Sequence, residues 1–200
     1  MTRYSGKSWR AFRPRSAGTG ASRTVPGVAL RLMARDCRVL GLDPGSQRTG
    51  YGIIDCQASS EHHITSGCID VTGFDMVVRL QRIYAVVSAL VSEHRPDMVA
   101  IERVFVHRNP DSALKLGQAR GVALCAAASN GASVHEYAPR AIKMAVTGYG
   151  AAAKPQVAQM VRSLLLLEFK LAADAADALA VALCHAQTRR LAGLDAADVA

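Results

Sequence analysis

The chain has 200 residues, of which 50% are hydrophobic and 20% are charged, a composition typical of a globular protein with one well-buried core. No apolar run approaches the roughly 20 residues of a membrane span, which excludes a transmembrane helix. The formal net charge is +8, but eight of the 24 basic residues lie in residues 1–35, which contain no acid, and the other 16 balance 16 acidic residues. A polyanion would therefore have to be bound by a local basic patch.

Residues 1–35 are rich in Ser, Gly and Thr and show little apolar periodicity. This pattern predicts a disordered, basic N-terminal extension, and the segment lacks the apolar centre of a secretory signal. An Arg-rich leader without acids is also compatible with a transit peptide. We favour a flexible tail, or a start codon placed too early with the natural start at Met33.

Three strands are predicted next, at Val39–Asp43, Tyr51–Asp55 and Ile64–Val71, because short apolar runs alternate with Gly- or Ser-containing turns. They form an antiparallel meander. A helix is predicted from Phe74 to Glu93, where apolar residues recur at helical spacing before Arg95-Pro96.

The rest of the chain alternates strands and helices. The predicted elements are a strand over Met98–Ile101 that leads into Glu102, a helix from Asn109 to about Ser129, a strand over Ser133–Tyr137, and helices over Pro139–Val146, Pro155–Leu167 and Asp174–Leu191. This order predicts an α/β fold with a mixed sheet covered on both faces. We expect a folded domain over residues 36–191 and a short C-terminal tail over residues 192–200.

Five cysteines are scattered singly in apolar surroundings, with no Cys-x-x-Cys pair. This predicts reduced core thiols in a cytosolic protein, with neither zinc nor disulfides.

Four carboxylates stand at positions that suggest chemistry. Asp43 ends a strand before Pro-Gly, Glu102 ends another strand, and Asp174 and Asp177 share one face of the first turn of a helix. Each has an ordinary explanation: Asp43 as a turn former, Glu102 as a salt-bridge partner, and the Asp pair as a complement to the helix dipole.

The convergence of these acids changes the interpretation. Neighbouring strands that both end in an acid, with an acidic helix start packed nearby, would bring up to four carboxylates together, which is unfavourable unless protons or cations neutralise them. Hard oxygen ligands shared by two sites suit Mg²⁺, and two such ions about 4 Å apart promote phosphodiester cleavage. The sequence therefore indicates a metal-dependent nuclease.

Three segments together resemble the RuvC family of bacterial Holliday-junction resolvases over about residues 38–188. They are GLDPGSQRTGYGIID, VAIERVFVHRNPDSALKLGQARGVAL, and the loop TGYGAAAK with DAADALAVALCHA. The long middle motif and the paired aspartates, in order and at fitting spacing, make the match specific.

The resemblance implies a ribonuclease H-like fold with a five-stranded sheet, acting as a cytoplasmic homodimer that cuts two strands of like polarity at a four-way junction and leaves ligatable 5′-phosphates. Asp43, Glu102, Asp174 and Asp177 match the family's acidic quartet, which implies two Mg²⁺ per subunit, with Mn²⁺ as a possible substitute. The implied partners are the four-way DNA junction and the RuvA–RuvB branch-migration complex.

Three further residues match family positions. Lys143 and Lys154 fall where the family has lysines near the scissile phosphate, and Phe105 falls where it has an aromatic thought to stack on a junction base. A lysine can oppose developing phosphate charge, and an exposed aromatic can bind an unstacked base. The alternatives are two solvated surface lysines and a core phenylalanine.

Two departures and two minor features complete the sequence pattern. Residues 1–35 have no counterpart in the family, and Glu168–Ala173 replaces a segment where relatives often have proline, which affects the expected entry into Asp174.

Gly117 and Gly121 predict close helix approach, either within the domain or across a dimer seam. The histidines are read as surface residues (His62, His63, His107) or as structural (His185).

Two other functions are compatible with parts of the sequence. DPGSQRTG resembles the first phosphate loop of actin-like ATPases and sugar kinases, but about 160 ordered residues leave no room for the second phosphate-binding half of those folds. The other alternative is a relative that binds junctions without cutting them. The loss of an acid would indicate it, and all four acids are present.

Overall fold

A computed structural model describes residues 36–57, 60–103 and 110–197, with side chains described up to residue 192. Five strands form one sheet in the order β3-β2-β1-β4-β5. The strands are β1 (Cys37–Asp43), β2 (Arg48–Cys56), β3 (Glu61–Asp70), β4 (Met98–Glu102) and β5 (Ser133–Tyr137). The helices are α1 (Met76–His94), α2 (Pro110–Ala127), α3 (Pro139–Thr147), α4 (Lys154–Leu164) and α5 (Ala173–Ala197), with a 3₁₀ turn at Ala128–Asn130.

The sheet is mixed because its connections differ in length. The short turn after Asp43 returns the chain antiparallel, so that Asp43 pairs with Gly50 across β1 and β2. Between β1 and β4 the chain passes through β2, β3 and helix α1, and β4 pairs parallel to β1, with Leu42 opposite Ile101. Parallel pairing places the carboxyl ends of β1 and β4 side by side at one edge of the sheet.

Helices cover both faces of the sheet, because side chains of successive strand residues point to opposite faces. Leu40 and Ile101 are fully buried against α1 and α2. Val39 and Ala100 are fully buried on the other face, against α3, α4 and α5. The predicted α/β fold with a five-stranded mixed sheet is confirmed.

Glycines let α5 lie directly on the sheet. A Cβ atom added to Gly41 would stand 2.1 Å from the carbonyl oxygen of Ala178, and one added to Gly50 would stand 2.0 Å from the carbonyl oxygen of Asp174. At Gly52 the neighbour is the Leu179 side chain, at 2.6 Å. Any larger residue at Gly41 or Gly50 would push the start of α5 away from the strand ends.

The observed element ends differ from the predicted ones for local reasons. Helix α1 begins at Met76 rather than Phe74, because the Asp75 carboxylate accepts a hydrogen bond from Val78 N at 3.0 Å and caps the helix. Helix α4 ends at Leu164 rather than Leu167, and Leu166 takes a left-handed backbone with φ 52°.

Two further bounds differ by larger margins. Strand β3 begins at Glu61, three residues before the predicted start, because His62 and His63 pair with β2. Helix α5 continues past the predicted end at Leu191 to Ala197, so the first six residues of the predicted tail are helical.

Some predictions fall on other parts of the chain. The predicted extension over residues 1–35 lies outside the described residues. Among the helices that the structure describes, none combines the length and hydropathy needed to cross a membrane.

All five cysteines are free. Cys37, Cys56 and Cys184 are buried, Cys68 is half-buried, and Cys125 is exposed, which corrects the prediction that every thiol lies in the core.

Candidate metal and nucleic-acid site

Asp43 and Glu102 stand side by side where β1 and β4 end. The register that pairs Leu42 with Ile101 makes the next residue of each strand a neighbour of the other. Both side chains are half-buried, and the two carboxyls are close enough for the charge of Asp43 to raise the pKa of Glu102. Neighbouring carboxylates repel each other when both are ionised.

Helix α5 brings the other two acids to the same edge. Asp174 lies in its first turn, Asp177 follows three residues later on the same face, and both are half-buried. Gly50 lies opposite Asp43 in the sheet. Because Gly50 has no side chain, the main chain of Asp174 can pack directly against it; an added Cβ atom would stand 2.0 Å from the Asp174 carbonyl oxygen. The fold therefore gathers the four predicted acids around one point.

The electrostatics of the cluster reflect this crowding. Burial, followed by the negative charge of Asp177, raises the pKa of Asp43 above its ordinary range. Burial and the neighbouring Asp43 carboxylate raise the pKa of Glu102 to about 7. Both shifts mean that the charged forms of these two carboxyls are disfavoured unless a cation binds beside them.

Lys154 forms an ion pair with one acid of this cluster. Its Nζ donates a hydrogen bond to Asp177 Oδ2 at 2.6 Å, while 77% of the side chain remains exposed. This hydrogen bond, together with the charges of Asp43 and Glu102, raises the pKa of Lys154. Lys154 opens helix α4, whose start is fixed by a hydrogen bond from Ala153 N to Gln156 Oε1 at 2.9 Å.

Lys143 lies on the neighbouring helix α3 and lines the same small cavity. This cavity has a volume of about 80 Å³, and its lining includes Glu102, Lys143, Lys154 and Asp177. The two predicted lysines therefore flank the acids from one side. An anion that approached this cavity would meet two ammonium groups and the edge of the acidic cluster.

Asp174 is held by residues that the sequence analysis did not single out. Cys68 Sγ donates to Asp174 Oδ2 at 3.4 Å, and Arg48 Nη1 lies 3.6 Å from the same oxygen. Arg48 also binds Asp70, its register partner on β3, at 3.1 Å. The detectable signal was the position of Arg48 beside Asp43 in the motif DPGSQRTG, which placed a guanidinium at the same sheet edge.

The residue types fit a divalent metal, although the side chains are not arranged as ligands. Within residues 36–57, 60–103 and 110–197, no three His, Cys, Asp or Glu side chains form a group that would hold a metal ion. Lys154 donates a hydrogen bond to Asp177, and burial disfavours the charged form of Asp43. Half-buried carboxylates whose charged forms are disfavoured are a donor set that a hard cation would stabilise.

Other predicted residues lie elsewhere. Phe105 and His107 fall outside the described residues. His185 is buried and hydrogen-bonded to the Tyr137 hydroxyl at 2.7 Å, and burial lowers its pKa to about 4. It also contacts Met98, the first residue of β4, so it lies near the end of that strand opposite Glu102 and is structural.

Gly117 and Gly121 do not mediate close packing within the domain. A Cβ atom added to either glycine would meet no heavy atom within 4 Å. Of the two interpretations of this pair, close approach inside the domain is therefore wrong for the part of the chain that the structure describes.

Comparison with known proteins identifies relatives over most of this chain. The family model "Crossover junction endodeoxyribonuclease RuvC" matches residues 39–185. The protein of that name from Marinobacter nauticus is 55% identical over 148 residues, which cover 74% of this chain and 85% of the relative. The protein of that name from Alkalilimnicola ehrlichii is 51% identical over 148 residues, which cover 74% of this chain and 90% of the relative.

The fold is also shared with a solved structure. The structure described as Thermus thermophilus RuvC in complex with Holliday junction substrate superimposes with a TM-score of 0.74 at 34% identity, covering 78% of this chain and 97% of that one. The sequence match spans both strand-end acids, both lysines and the start of α5. The chain belongs to the RuvC family of crossover junction endodeoxyribonucleases.

Proposed function

We propose that this chain resolves four-way DNA junctions by hydrolysing one phosphodiester in each of two strands of like polarity. The observation that carries the proposal is the gathering of Asp43, Glu102, Asp174 and Asp177 at one sheet edge, with Lys154 bound to Asp177 at 2.6 Å. Family membership supports the same substrate, because a solved relative is described in complex with a Holliday junction.

The RuvC family consists of metal-dependent nucleases, and the four acids are the groups that would hold the metal here. We assign them two Mg²⁺ ions per subunit, for which Mn²⁺ would substitute, because both are hard cations that prefer oxygen ligands. When bound, such ions supply a hydroxide-like nucleophile and stabilise the leaving oxygen. The pKa values of Asp43 and Glu102 are raised because their charged forms are disfavoured, and metal binding would stabilise those charged forms.

The lysines have a separate role in this mechanism. Lys154 neutralises Asp177 in the metal-free protein, and its exposed side chain can turn toward a phosphate once the acids are otherwise compensated. Lys143 faces the same cavity and would add a second positive charge beside the scissile phosphate. Fixed positive charge at the phosphate lowers the energy of the in-line transition state.

The proposed assembly is a homodimer, because one symmetric junction needs two equivalent active sites about a twofold axis. The open face at Gly117 and Gly121 on α2 is available for that contact. Phe105 is proposed to stack on an unpaired junction base. We place the enzyme in the bacterial cytoplasm. We further propose that it cuts junctions after the RuvA–RuvB complex has moved the branch point.

The test compares a mobile four-way junction with a linear duplex of the same sequence, in Mg²⁺ and in EDTA. We expect paired nicks with 5′-phosphates on the junction alone, and only with metal. Equal cutting of both DNAs would contradict junction selectivity. Binding without cutting would favour a protein that only recognises junctions, the second candidate.

A point variant separates the metal site from DNA binding. Asp174→Asn removes one of the four carboxylates and one negative charge beside the DNA, so cleavage should fall by roughly 10³-fold or more while junction affinity stays equal or increases. Gel shift in EDTA measures the affinity and gel analysis of nicks measures the rate. A variant that cuts at the normal rate would exclude Asp174 from the site.

A further inference from the structure

Two buried cysteines face each other at the end of the sheet opposite the acids. Cys37 is the first residue of β1, Cys56 is the last residue of β2, and the two are direct register partners. Both are 8% exposed, and their thiols lie close enough for each to shift the pKa of the other. Directly opposed residues of antiparallel strands have Cα atoms about 4.5–5.5 Å apart, within the range that a disulfide spans.

A guanidinium contacts one of the two thiols. Arg189 on α5 donates a hydrogen bond from Nη1 to Cys37 Sγ. The neighbouring Cys56 thiol and then the charge of Arg189 lower the pKa of Cys37, against burial and the charges of Asp97 and Asp36, which raise it. The pKa of Cys56 is raised by Cys37 and by burial. The thiolate of a cysteine pair is its nucleophile, so Cys37 is the reactive partner.

A small molecule can reach this pair from solvent. An open pocket of about 650 Å³ is lined by both cysteines, together with polar side chains that include Arg38, Asp55 and Asp97. Hydrogen peroxide is much smaller than this volume. The other buried cysteine, Cys184, does not line the pocket, and burial raises its pKa to about 11.

We propose that Cys37 and Cys56 form a peroxide-reactive dithiol that closes to a reversible disulfide between β1 and β2. The Cys37 thiolate attacks one oxygen of hydrogen peroxide, forming a sulfenic acid and releasing hydroxide, which takes up a proton to become water. The Cys56 sulfur then attacks the Cys37 sulfur, forming the S–S bond, and the sulfenic oxygen leaves as a second water with the Cys56 proton. Peroxide is thereby reduced and the two thiols are oxidised by two electrons.

The experiment treats the folded full-length chain with hydrogen peroxide, blocks remaining thiols by alkylation, and maps peptides by mass spectrometry with and without dithiothreitol. We expect loss of two of the five thiols, a Cys37–Cys56 disulfide, and full recovery on reduction. The disulfide closes a loop of moderate length, so the oxidised protein should melt higher by roughly 5–10 °C.

Variants assign the two sulfurs. Cys56→Ser should accumulate a Cys37 sulfenic acid that dimedone traps, and Cys37→Ser should leave Cys56 reduced. Arg189→Met should slow the reaction roughly tenfold, because the thiolate loses its cationic partner. Cys184→Ser is the matched control for a buried cysteine and should leave the Cys37–Cys56 reaction unchanged.

Other outcomes would overturn the proposal. Oxidation of the exposed Cys125 while Cys37 and Cys56 stay reduced would show that exposure alone decides reactivity. Equal reactivity of Cys37 and Cys184 toward peroxide would exclude activation by Arg189. If Cys37→Ser proves unfolded by circular dichroism, Cys56→Ser and Arg189→Met on their own still decide the assignment.

Discussion

The two ends of the sheet solve opposite electrostatic problems. At one end, Asp43 and Glu102 are crowded, so that the pKa of Glu102 is raised to about 7, and exposed Lys154 pairs with the neighbouring Asp177. At the other end, Arg38 binds Asp55 through two hydrogen bonds of 2.7 and 2.8 Å and donates a third to the carbonyl oxygen of His94. The comparison teaches that Arg38 stabilises the charged form of Asp55 at one end, whereas at the other end Asp43 and Glu102 keep raised pKa values although Lys154 lies nearby.

The largest expected effect comes from exchanging one aspartate at each end. Asp43→Asn should reduce junction cleavage by roughly 10³-fold or more, without lowering the melting temperature, because it relieves like-charge repulsion. Asp55→Asn should leave cleavage intact but reduce the free energy of unfolding by about 1–2 kcal/mol, because Arg38 loses its charged partner. Nicking rates and denaturant melts measure both. If Asp43→Asn also lowered the free energy of unfolding, the two ends of the sheet would not differ in the way proposed.

The next effect compares two lysines that form short ion pairs. Lys154→Met should lower the cleavage rate by roughly 10²-fold with little change in stability, because its ammonium lies at the acids. Lys115→Met breaks the exposed pair with Asp111, at 2.5 Å on α2, and should change neither quantity measurably. Equal rates in the two variants would mean that Lys154 is a solvated surface residue.

A third comparison concerns two glycines. Gly50→Ala should reduce the free energy of unfolding by about 1–3 kcal/mol and reduce cleavage, because its Cβ would meet the Asp174 carbonyl oxygen at 2.0 Å. Gly117→Ala meets no atom within 4 Å and should stabilise the monomer by up to about 1 kcal/mol through helix propensity. Denaturant melts at low protein concentration test both, and a neutral Gly50→Ala would show that α5 can move away freely.

The smallest expected effect is a pH dependence of opposite sign at the two ends. The pKa of Glu102 is raised from its ordinary value of 4.5 to about 7. In that interval the folded state binds a proton at Glu102 that the unfolded state has lost, so the Glu102 contribution to stability falls as pH rises from 4.5 to 7. Buried His185, whose pKa is lowered to about 4, contributes a slope of opposite sign between about pH 4 and 6.5, so the Glu102 slope is measured as the difference from a Glu102 variant. The pKa of Asp55 is lowered by Arg38, so its contribution is lost as pH falls below the ordinary value of 3.8.

Urea melts in EDTA across this pH range measure the two slopes. Glu102→Gln should remove the Glu102 contribution, so that stability rises more steeply with pH above 4.5 in this variant than in the unmodified chain, and Asp55→Asn should flatten the slope at lower pH. Excess Mg²⁺ should offset the loss near pH 7. An identical slope above pH 4.5 in Glu102→Gln and the unmodified chain would exclude Glu102 as its source.

The sequence predicted most of this architecture because its signals are local. The motif around Asp43 combines an apolar strand, a turn and a second strand, and the paired acids at Asp174 and Asp177 mark a helix start, so both the order of elements and the acidic quartet could be inferred. The contact between α5 and the sheet could not, because it depends on Gly50 meeting a main-chain atom more than a hundred residues away.

Contacts between distant side chains were also beyond the sequence. Nothing local indicates that Cys68 donates to Asp174, or that Arg189 reaches Cys37 from the far part of α5. The prediction that all cysteines are core thiols was wrong for exposed Cys125, because an alanine-rich helix appears apolar on every side. The roles of the acids and lysines in cleavage stay predictions that the variants above address.

The seam between α5 and the sheet also sets how this protein can change during evolution. At Gly41 and Gly50 the nearest atoms are main-chain oxygens, so no exchange elsewhere makes room for a larger residue, and both positions should remain fixed in functional descendants. Gly52 meets the side chain of Leu179, so a larger residue there becomes acceptable once Leu179 shrinks. Among related sequences, positions 41 and 50 should therefore remain glycine, whereas positions 52 and 179 should change together.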